Sequence, residues 1–460
     1  MQSVALTVFL IRSDSAVKKV FLLGVVLFVC YRLFSLIGVS ATVQKQPDKN
    51  QFVVGVIASI PVCHQHGCRF MFSLKRAPGR YYYLSWYGRH ATLHVGQTWF
   101  LRCRLRDPIR IPSYFKRWLW SHSAVAEGAV DQRAPSFQLR QPLIYPVLRL
   151  RERLQSRVAN SVSEPAYAGV ISALTVGSRA LLDQAQWQVF QRTGTSHLVA
   201  ISGLHVGLVA VACYWLCLWL VRRCVLLLRY WPAQQWAGVA ALIGSCSYAV
   251  LAGLSVPTQR ALIMLFAYHV PALFYLRVPV WRRLVLAFVV ITLIEPVAFV
   301  EPGFWLSFAA VASIAYVLRA RVGTSSSAVE WMRLHAATSV GLVPLTLFFF
   351  EKVSIVMLAA NAVAVPWVTL LIVPLSLLGC VVSFFSPVVS AMLFQLAAWL
   401  LAPLWCFLQY LASFPFSVWP HPGHQLVPLL ISVVGVSLLL SPLPRVLRLM
   451  GCCYLLALFY

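Results

Sequence analysis

Long apolar segments constrain the fold of this chain more than any other feature of its sequence. From residue 195 onward, apolar runs alternate with short polar loops, and another apolar run lies near residues 20–39. The hydrocarbon core of a bilayer is about 30 Å thick, and about 20 apolar residues in a helix cross it with every peptide group hydrogen-bonded. The composition, 60% hydrophobic and 11% charged, is atypical of water-soluble globular proteins. We therefore predict a polytopic α-helical membrane protein.

The apolar runs predict about 10–11 transmembrane helices of the usual length. The first lies within an N-terminal anchor at 1–45. A cleaved signal peptide is the alternative for this segment, because Lys18 and Lys19 precede the apolar run. After a more polar interval, the other predicted spans lie near 195–221, 236–254, 257–276, 284–300, 304–318, 331–350, 354–380, 388–412, 425–441 and 444–460.

Basic residues in alternate loops predict the orientation of these helices. Lys and Arg in short loops resist translocation, so basic loops stay in the cytoplasm. The intervening loops carry little or no positive charge, and the interval 40–194 is therefore expected outside. The predicted cytoplasmic clusters are Arg222, Arg223 and Arg229; Arg277, Arg282 and Arg283; Arg319 and Arg321; and Arg445 and Arg448.

The outer interval is basic and has the alternation typical of strands. Residues 51–160 hold 17 Lys and Arg against 4 Asp and Glu, which is half of the formal net charge of +26. Pro, Gly and polar breaks separate short period-two segments, and this pattern predicts strands. Five short strands favour a small extracytoplasmic β-barrel of the OB-fold type at 50–125, inserted after the first span. The predicted strands are "QFVVGVIASI", "RFMFSLKR", "RYYYLSWYG", "HATLHV" and "TWFLRCRLR".

Strand periodicity sorts two of these segments into inner and outer faces. The predicted inward residues are Leu101, Cys103, Leu105, Tyr82, Leu84 and Trp86. Guanidinium groups beside exposed rings suit binding of a single nucleic-acid strand. The alternative is a solvated basic face near anionic lipid headgroups. The predicted DNA-binding residues on the outer face are Tyr81, Tyr83, Tyr87, Arg102, Arg104 and Arg106.

The turn "CHQHGC" at 63–68 contains two cysteines and two histidines. Outside the membrane we expect a disulfide between Cys63 and Cys68. Zinc is the alternative, although zinc sites usually draw their ligands from two separated pairs. Cys103 is a third potential partner, and we expect no metal site.

Residues 138–194 form a predicted amphipathic linker at the membrane interface. "RQPLIYPVLRLRERLQSRVANSV" combines apolar residues at helical spacing with several arginines, and such a helix tends to lie among headgroups. The apolar segment "AGVISALTVG" is too short to span, so it dips into the bilayer or packs on the spans.

Polar residues interrupt the predicted span that contains "SHLVAISGLHVGLVA". If this segment is one helix, His197, Ser202 and His205 share one broad face. Polar groups in spans usually face a bundle interior or a watery path. The alternative is that they bond neighbouring helices while Gly203 and Gly207 permit close packing.

Further polar side chains lie at or near the outer ends of other predicted spans. Each alone has an ordinary explanation, such as an arginine that snorkels to the surface or a glutamate among headgroups. Together they are predicted to line an outer vestibule. They are Arg260, Glu295, Glu301, Ser307 and, somewhat deeper, Asn361.

Several of these segments resemble the ComEC family of competence proteins. "FQRTGTSHLVAISGLHVGLVA" is similar to the central signature of that family. Supporting segments follow the family order: "LTVGSRALLDQAQWQVF", "LAGLSVPTQRALIML", "EPGFWLSFAAVASI" and "LVPLTLFFFEKVSIVMLAANAVAVPWVTLLIVP". The resemblance covers roughly 50–445, and it implies a competence-type channel domain at 195–445 followed by a terminal segment at 446–460.

This resemblance implies an inner-membrane channel for uptake of single-stranded DNA during natural transformation. The implied partners are single-stranded DNA, membrane lipids, a separate DNA receptor and a cytoplasmic motor or DNA-binding protein. No cofactor is expected, and the chain is not expected to be an enzyme. The DNA path is predicted to involve His197, Ser202, Gly203, His205, Arg260, Glu301, Ser307 and Asn361.

Two features depart from the family pattern. Members often have more spans before the barrel, and many continue into a metallo-β-lactamase-like domain. This sequence has no His-x-His-x-Asp-His cluster and no aspartate after Asp183, so strand degradation is expected from a separate nuclease. It also has no GxxxxGK[ST] loop for ATP.

Two other function classes remain as alternatives. One is an intramembrane serine protease in which Ser202 attacks and a histidine acts as base, although "AISG" lacks the leading glycine of a GxSG element. The other is a transporter of lipid or small solutes, which predicts that the outer barrel binds no oligonucleotide.

Overall fold

The protein is described here by a computed structural model. The residues that it describes are 50–64, 67–75, 81–88, 93–105, 124–131, 136–140, 145–295, 298, 301–319, 327–415, 417–420, 426–441, 451 and 454. The predicted spans at 20–39 and 444–460 lie outside them, apart from residues 451 and 454, and so does Arg106. The described chain divides into two compact units. The barrel unit contains residues up to 182 and 376–398, and the helical unit contains 183–375 and the residues from 399 onward.

Five strands of the barrel unit close into a barrel. The order is β1-β3-β4-β6-β5, and β5 pairs back onto β1; β4 and β6 run parallel and the other neighbours are antiparallel. Strand β2 pairs with β3, and β7 pairs with β5. The strands are β1 (Asn50–Ile57), β2 (Val62–His64), β3 (Gly67–Leu74), β4 (Tyr81–Tyr87), β5 (Thr98–Leu105), β6 (Ala124–Val130) and β7 (Phe137–Arg140).

The prediction of a strand at "HATLHV" is wrong for its described residues, 93–95, which form a loop and turn before β5. The Gln97 side chain accepts the N–H of His94, and the Glu152 carboxylate accepts the N–H of Val95. These backbone donors are therefore satisfied by side chains instead of a neighbouring strand. The fifth barrel strand is instead β6, Ala124–Val130, so the barrel continues past residue 125, the end of the predicted domain.

Alternating side chains of the strands fill the barrel. The predicted inward set, Leu101, Cys103, Leu105, Tyr82, Leu84 and Trp86, is buried, which confirms the assignment of faces. Phe70 and Phe72 on β3 complete the same core. Trp86 packs edge-on against Trp99 with ring centroids 5.5 Å apart, a geometry that aromatic pairs favour.

Two helices follow the barrel strands, α1 (Pro146–Ser161) and α2 (Pro165–Val176). The apolar residues Leu154 and Val158 of α1 are buried in the protein. Arg151 donates to the carbonyl of Val176 over 2.8 Å, and burial lowers the pKa of its guanidinium. Leu154 and Val158 therefore pack against protein, while Val147 at the start of α1 is exposed, and a position of this linker at the membrane interface stays a prediction.

The remaining described chain is mostly helical. A short antiparallel pair joins β8 (Lys352–Ser354) to β9 (Val418–Pro420). The helices are α3 (Gln184–Arg192), α4 (Ser196–Val199), α5 (Gly203–Val221), α6 (Val225–Leu228), α7 (Ala233–Leu251), α8 (Val256–Leu273), α9 (Val280–Ile294), α10 (Pro302–Arg319), α11 (Ser327–Phe350), α12 (Met357–Trp367), α13 (Val373–Val382), α14 (Pro387–Ser413) and α15 (Leu426–Leu440); a π-helical segment, Val368–Ile372, joins α12 to α13.

Within the described residues, four helical segments are long and apolar enough to cross a membrane. They are Gly203–Val221, Met332–Phe350, Met357–Val382 and Pro387–Ser413. A helix also occurs at each other predicted span between 195 and 441. These additional helices are shorter or less apolar, so the count of about 10–11 spans stays a prediction.

Candidate functional site

A break in the chain separates His197 from the helix that carries His205. Helix α4 ends after Val199, Ala200 is extended with φ −84° and ψ 132°, and α5 begins at Gly203. Ser202 stands at the N-cap, where its carbonyl accepts the N–H of His205 over 3.1 Å. The prediction that His197, Ser202 and His205 share the face of one continuous helix is therefore wrong.

The break leaves polar atoms buried at the start of α5. The Ser202 N–H donates to Nδ1 of the fully buried His205 over 3.3 Å. Ser202 Oγ and His205 Nε2 are also buried, and neither has a hydrogen-bond partner among the described residues. Leaving such an atom unpaired costs about 1–3 kcal/mol. Both atoms are thus available to water or to a polar ligand.

Arg260 occupies a similar position in the first turns of α8. Its side chain is 4% exposed, and its Nη1 lies 3.4 Å from Oε2 of Glu301. Glu295 also interacts with it electrostatically. Buried charge is tolerated when it is paired, but Arg260 Nε has no hydrogen-bond partner among the described residues.

Glycines allow these elements to come together. A Cβ added at Gly303 would lie 2.8 Å from Arg260 Nη2, so a side chain there would displace the guanidinium. A Cβ added at Gly203 would lie 3.4 Å from that of Ala261, which follows Arg260 in α8. The first turn of α5 therefore packs against the first turns of α8, and this brings Ser202 and Arg260 to adjoining helix ends.

Histidines connect the segment before α5 to α11 and α12. The exposed His197 makes a 3.1 Å hydrogen bond with the carbonyl of Gly194 and is close enough to interact electrostatically with both His205 and His335. His335 Nε2 lies 3.4 Å from the carbonyl of Leu358 in α12. Sequence reasoning missed His335, although a histidine within an apolar span was a usable signal.

Asn361 lies in the same helix, three residues beyond Leu358. It is buried, and its Oδ1 has no partner among the described residues. Gly194 has φ +69°, and an added Cβ would lie 2.7 Å from Cβ of Met357. The chain before α4 can therefore approach the start of α12 because this position is glycine.

We call this group the polar junction. It comprises His197, Ser202, His205, Arg260, Glu301, His335 and Asn361. Ser307, which the sequence predicted on the DNA path, is not included. Its hydroxyl already donates to the carbonyl of Gly303 in its own helix over 2.8 Å. An activated serine nucleophile requires a hydrogen bond from its hydroxyl to a base. The described contacts include no such bond from the Ser202 hydroxyl to His205.

A second candidate site lies on the outside of the barrel, where β1, β5 and β7 are neighbours. Phe52 is 55% exposed and lies opposite Arg102 in the strand register. Its ring stacks on Phe100 with centroids 5.3 Å apart and planes at 10°. The Arg102 guanidinium carbon lies 5.6 Å from the Phe52 ring centroid, within the range of cation–π contacts. Phe137 lies opposite Phe100 and is also exposed.

We call these residues, with the exposed Arg104, the aromatic–arginine face: Phe52, Phe100, Arg102, Arg104 and Phe137. Asp131 lies 3.7 Å from Arg102 Nε, so one carboxylate offsets part of the positive charge. Sequence reasoning missed Phe52, whose outward position follows from the same period of two.

The predicted tyrosines point outward but do not flank these arginines. Tyr81, Tyr83 and Tyr87 lie on β4, and β6 separates β4 from β5 in the sheet. Burial raises the pKa of Tyr83, which hydrogen-bonds with the Arg69 side chain. Burial and the neighbouring Tyr145, a hydrogen-bond partner, raise the pKa of Tyr81. The tyrosines and the arginines thus lie two strands apart on the outside of the barrel, and their joint role in DNA binding stays a prediction.

Cysteines complete the barrel unit. The structure joins Cys63 to Cys68 in a disulfide, the pairing expected from the sequence. Cys103 is a free thiol in the barrel core, and burial raises its pKa to about 12. In the part of the chain that the structure describes, no three His, Cys, Asp or Glu residues come together as metal ligands.

Comparisons with known proteins agree with the resemblance seen in the sequence. A family model described as "Competence protein" matches residues 174–445. Competence protein ComA of Neisseria gonorrhoeae is 38% identical over 285 residues, which cover 60% of this chain and 38% of ComA. ComE operon protein 3 of Bacillus subtilis (strain 168) is 30% identical over 239 residues, 51% of this chain and 29% of that protein.

Recombination protein 2 of Haemophilus influenzae is 30% identical over 287 residues, 57% of this chain and 33% of that protein. The chain thus spans less than two fifths of the length of these relatives. No solved structure matches it. Because the family model covers more than half of the sequence and these relatives include Competence protein ComA and ComE operon protein 3, the chain belongs to the ComEC family of competence proteins.

Proposed function

We propose that this chain forms a channel in the bacterial inner membrane that passes single-stranded DNA into the cell during natural transformation. Membership in the competence family supports a role in DNA uptake. The observation that carries the proposal is the polar junction, where helices of the matched domain bury polar atoms that have no hydrogen-bond partner among the described residues. A strand of DNA carries the water, phosphates and base edges that such atoms can bind.

The barrel supports the same proposal from a separate unit. A closed five-strand barrel whose sheet order departs from chain order fits the Greek-key barrel of the OB fold, which binds oligonucleotides. The distribution of basic residues among the loops supports a position of this domain outside the membrane. The aromatic–arginine face would then collect the strand by stacking and by phosphate contacts that weaken with salt.

The side chains of the polar junction would allow a DNA strand to pass, because they would bind it only weakly. Histidine, asparagine and serine offer neutral hydrogen bonds that exchange readily with those of water, while Arg260 attracts phosphate without the full charge of an unpaired guanidinium because Glu301 lies beside it. No cofactor is proposed. A DNA receptor and a cytoplasmic motor or DNA-binding protein are the proposed partners.

Reconstitution tests this function directly. The chain is placed in liposomes that contain a single-strand-binding protein, which traps strands that enter, and a labelled oligonucleotide is added outside. After external nuclease digestion, the protected label measures passage. We expect protection in wild type and about tenfold less in His205→Leu and Asn361→Leu, because each removes hydrogen bonds worth about 1 kcal/mol or more.

Thr292→Val is the matched control. Thr292 is as deeply buried, but its hydroxyl is already bonded to the carbonyl of Phe288 in its own helix. Variants are compared only after their size-exclusion profiles and helix content match wild type. Protection no greater than in empty liposomes, or equal protection in all variants, would overturn the proposal.

A further inference from the structure

The barrel unit contains a cavity that is lined by none of the residues of the two candidate sites. Its volume is about 450 Å³, and it opens between residues 94–97 of the barrel and helix α1. This size falls within the range of pockets that hold small ligands. Its basic lining residues are Arg149, Arg153 and Arg157 from α1, and His94 from the barrel.

The three arginines form a ladder on one face of α1. They recur every four residues, so neighbouring rungs lie about 6 Å apart along the helix axis. Leu154 and Val158, each the residue after an arginine of the ladder and so about 100° around the helix from it, are buried. This packing fixes the orientation of the helix and holds the arginine face toward the cavity. Arg157 also donates to the carbonyl of Ser383.

The cavity is positively charged. Of the lining residues, Glu152 is the acid, and it is engaged by His94 Nδ1 at 3.1 Å and by the N–H of Val95 at 3.2 Å. Among the described residues, no carboxylate lies within ion-pair distance of Arg149 or Arg153. Their guanidinium groups therefore have donors available for an anion, and a guanidinium binds phosphate with two parallel hydrogen bonds.

We propose that this arginine pocket binds successive phosphates of the incoming DNA strand. The inference rests on the proposed function and adds a contact site to it. Neighbouring phosphates of a stacked strand rise about 3.4 Å along its axis, and because the backbone also winds around that axis, their separation in space is larger and approaches the spacing of about 6 Å along the ladder. The pocket would hold the strand by its backbone and would therefore be indifferent to base sequence.

A lipid headgroup offers the same phosphate chemistry, but the structure favours the strand. A lipid in the pocket would place its acyl chains beside α1, and the apolar residues Leu154 and Val158 of that helix are already covered by protein. Val147 at the start of α1 is exposed, but three guanidinium groups spaced about 6 Å apart along the helix match a polyanion with phosphates in a row better than a lipid with a single headgroup phosphate.

The test measures how binding responds to salt. The full chain is held in nanodiscs of zwitterionic lipid, and anisotropy of a labelled single-stranded oligonucleotide gives Kd between low and moderate salt. Each phosphate contact to a single strand contributes about 0.7 to the slope of log K against log salt. We expect the double variant Arg149→Gln with Arg153→Gln to lose about 1.4 from this slope.

Two controls separate the pocket from general charge and folding. Arg222→Gln with Arg282→Gln removes the same charge from exposed positions of the helical unit, and we expect the slope of wild type. Arg149→Lys with Arg153→Lys keeps the charge, and we expect it to restore most of the slope. Equal slopes in wild type and the glutamine variant would overturn the pocket assignment.

The remaining outcomes are equally decisive. If wild type itself shows no salt-dependent binding of the strand, the proposed function fails. If the glutamine variant binds the strand as wild type does but loses flotation with vesicles of anionic phospholipid, the pocket is a lipid site and the inference is wrong.

Discussion

Replacement of Phe52 tests whether the aromatic–arginine face binds bases. One side of this ring stacks on Phe100, and 55% of the residue is exposed. A base can therefore stack on the free side while Arg102, which lies 5.6 Å from the ring centroid, reaches the adjoining phosphate. Stacking of a base on an aromatic side chain is worth about 1–3 kcal/mol by alanine substitution.

That range corresponds to a loss of about 5- to 150-fold in affinity. We expect Phe52→Ala and Phe52→Leu to weaken binding of a short single-stranded oligonucleotide within this range, and Phe52→Trp to retain wild-type affinity. The leucine variant keeps apolar area but lacks a ring, so it separates stacking from burial. Loss of the Phe52–Phe100 pair costs about 0.5–1.5 kcal/mol of stability, and a thermal melt checks that the barrel stays folded.

Anisotropy of the labelled strand, with the full chain in nanodiscs at one low salt concentration, provides the affinities. Tyr87→Ala is the comparison variant, because Tyr87 is 46% exposed on β4, across β6 from the arginines. We expect less than a twofold change for it. Wild-type affinity in both folded Phe52 variants would refute the reasoning, and a larger loss in Tyr87→Ala would assign binding to the tyrosine surface.

Two further predictions concern the polar junction. Gly303→Ala places a Cβ 2.8 Å from Arg260 Nη2 and so displaces the guanidinium. The variant is expressed in a competent strain that lacks its own copy of the gene, and transformation frequency is measured. We expect a frequency about tenfold lower than with wild type, which corresponds to a loss of about 1.4 kcal/mol. Gly207→Ala is the control, since nothing lies within 4 Å of its added Cβ, and equal frequencies for both would contradict a positioning role for Gly303. A serine-reactive fluorophosphonate should label wild type and Ser202→Ala equally weakly; labelling confined to wild type would instead establish an activated serine.

Local periodicity predicted much of the barrel, because a period of two determines which face of a strand is buried. That rule placed Leu101 inside and Arg102 outside. It failed at "HATLHV", where Glu152 accepts a backbone N–H from 57 residues away. A donor satisfied by so distant a side chain leaves no local signature in the sequence.

The candidate site was predictable as a set of residues but not as an arrangement. The sequence identified Ser202, His205, Arg260 and Asn361 as candidates because they are polar residues in apolar segments. A polar group is costly there, so its presence usually indicates a function. The pairing of Arg260 with Glu301 joins residues 41 positions apart, and no spacing rule predicts it. The break before α5 was more accessible, since serine followed by glycine is a common helix start.

The energetics of the junction indicate what it must contain. Four atoms, Ser202 Oγ, His205 Nε2, Arg260 Nε and Asn361 Oδ1, are buried without partners among the described residues. At about 1–3 kcal/mol each, a dry junction would lose about 4–12 kcal/mol, comparable to the whole stability of a typical domain. We therefore expect water to contact these atoms at rest, and under the proposed function a polyanion that enters would exchange its own hydration for contacts with them.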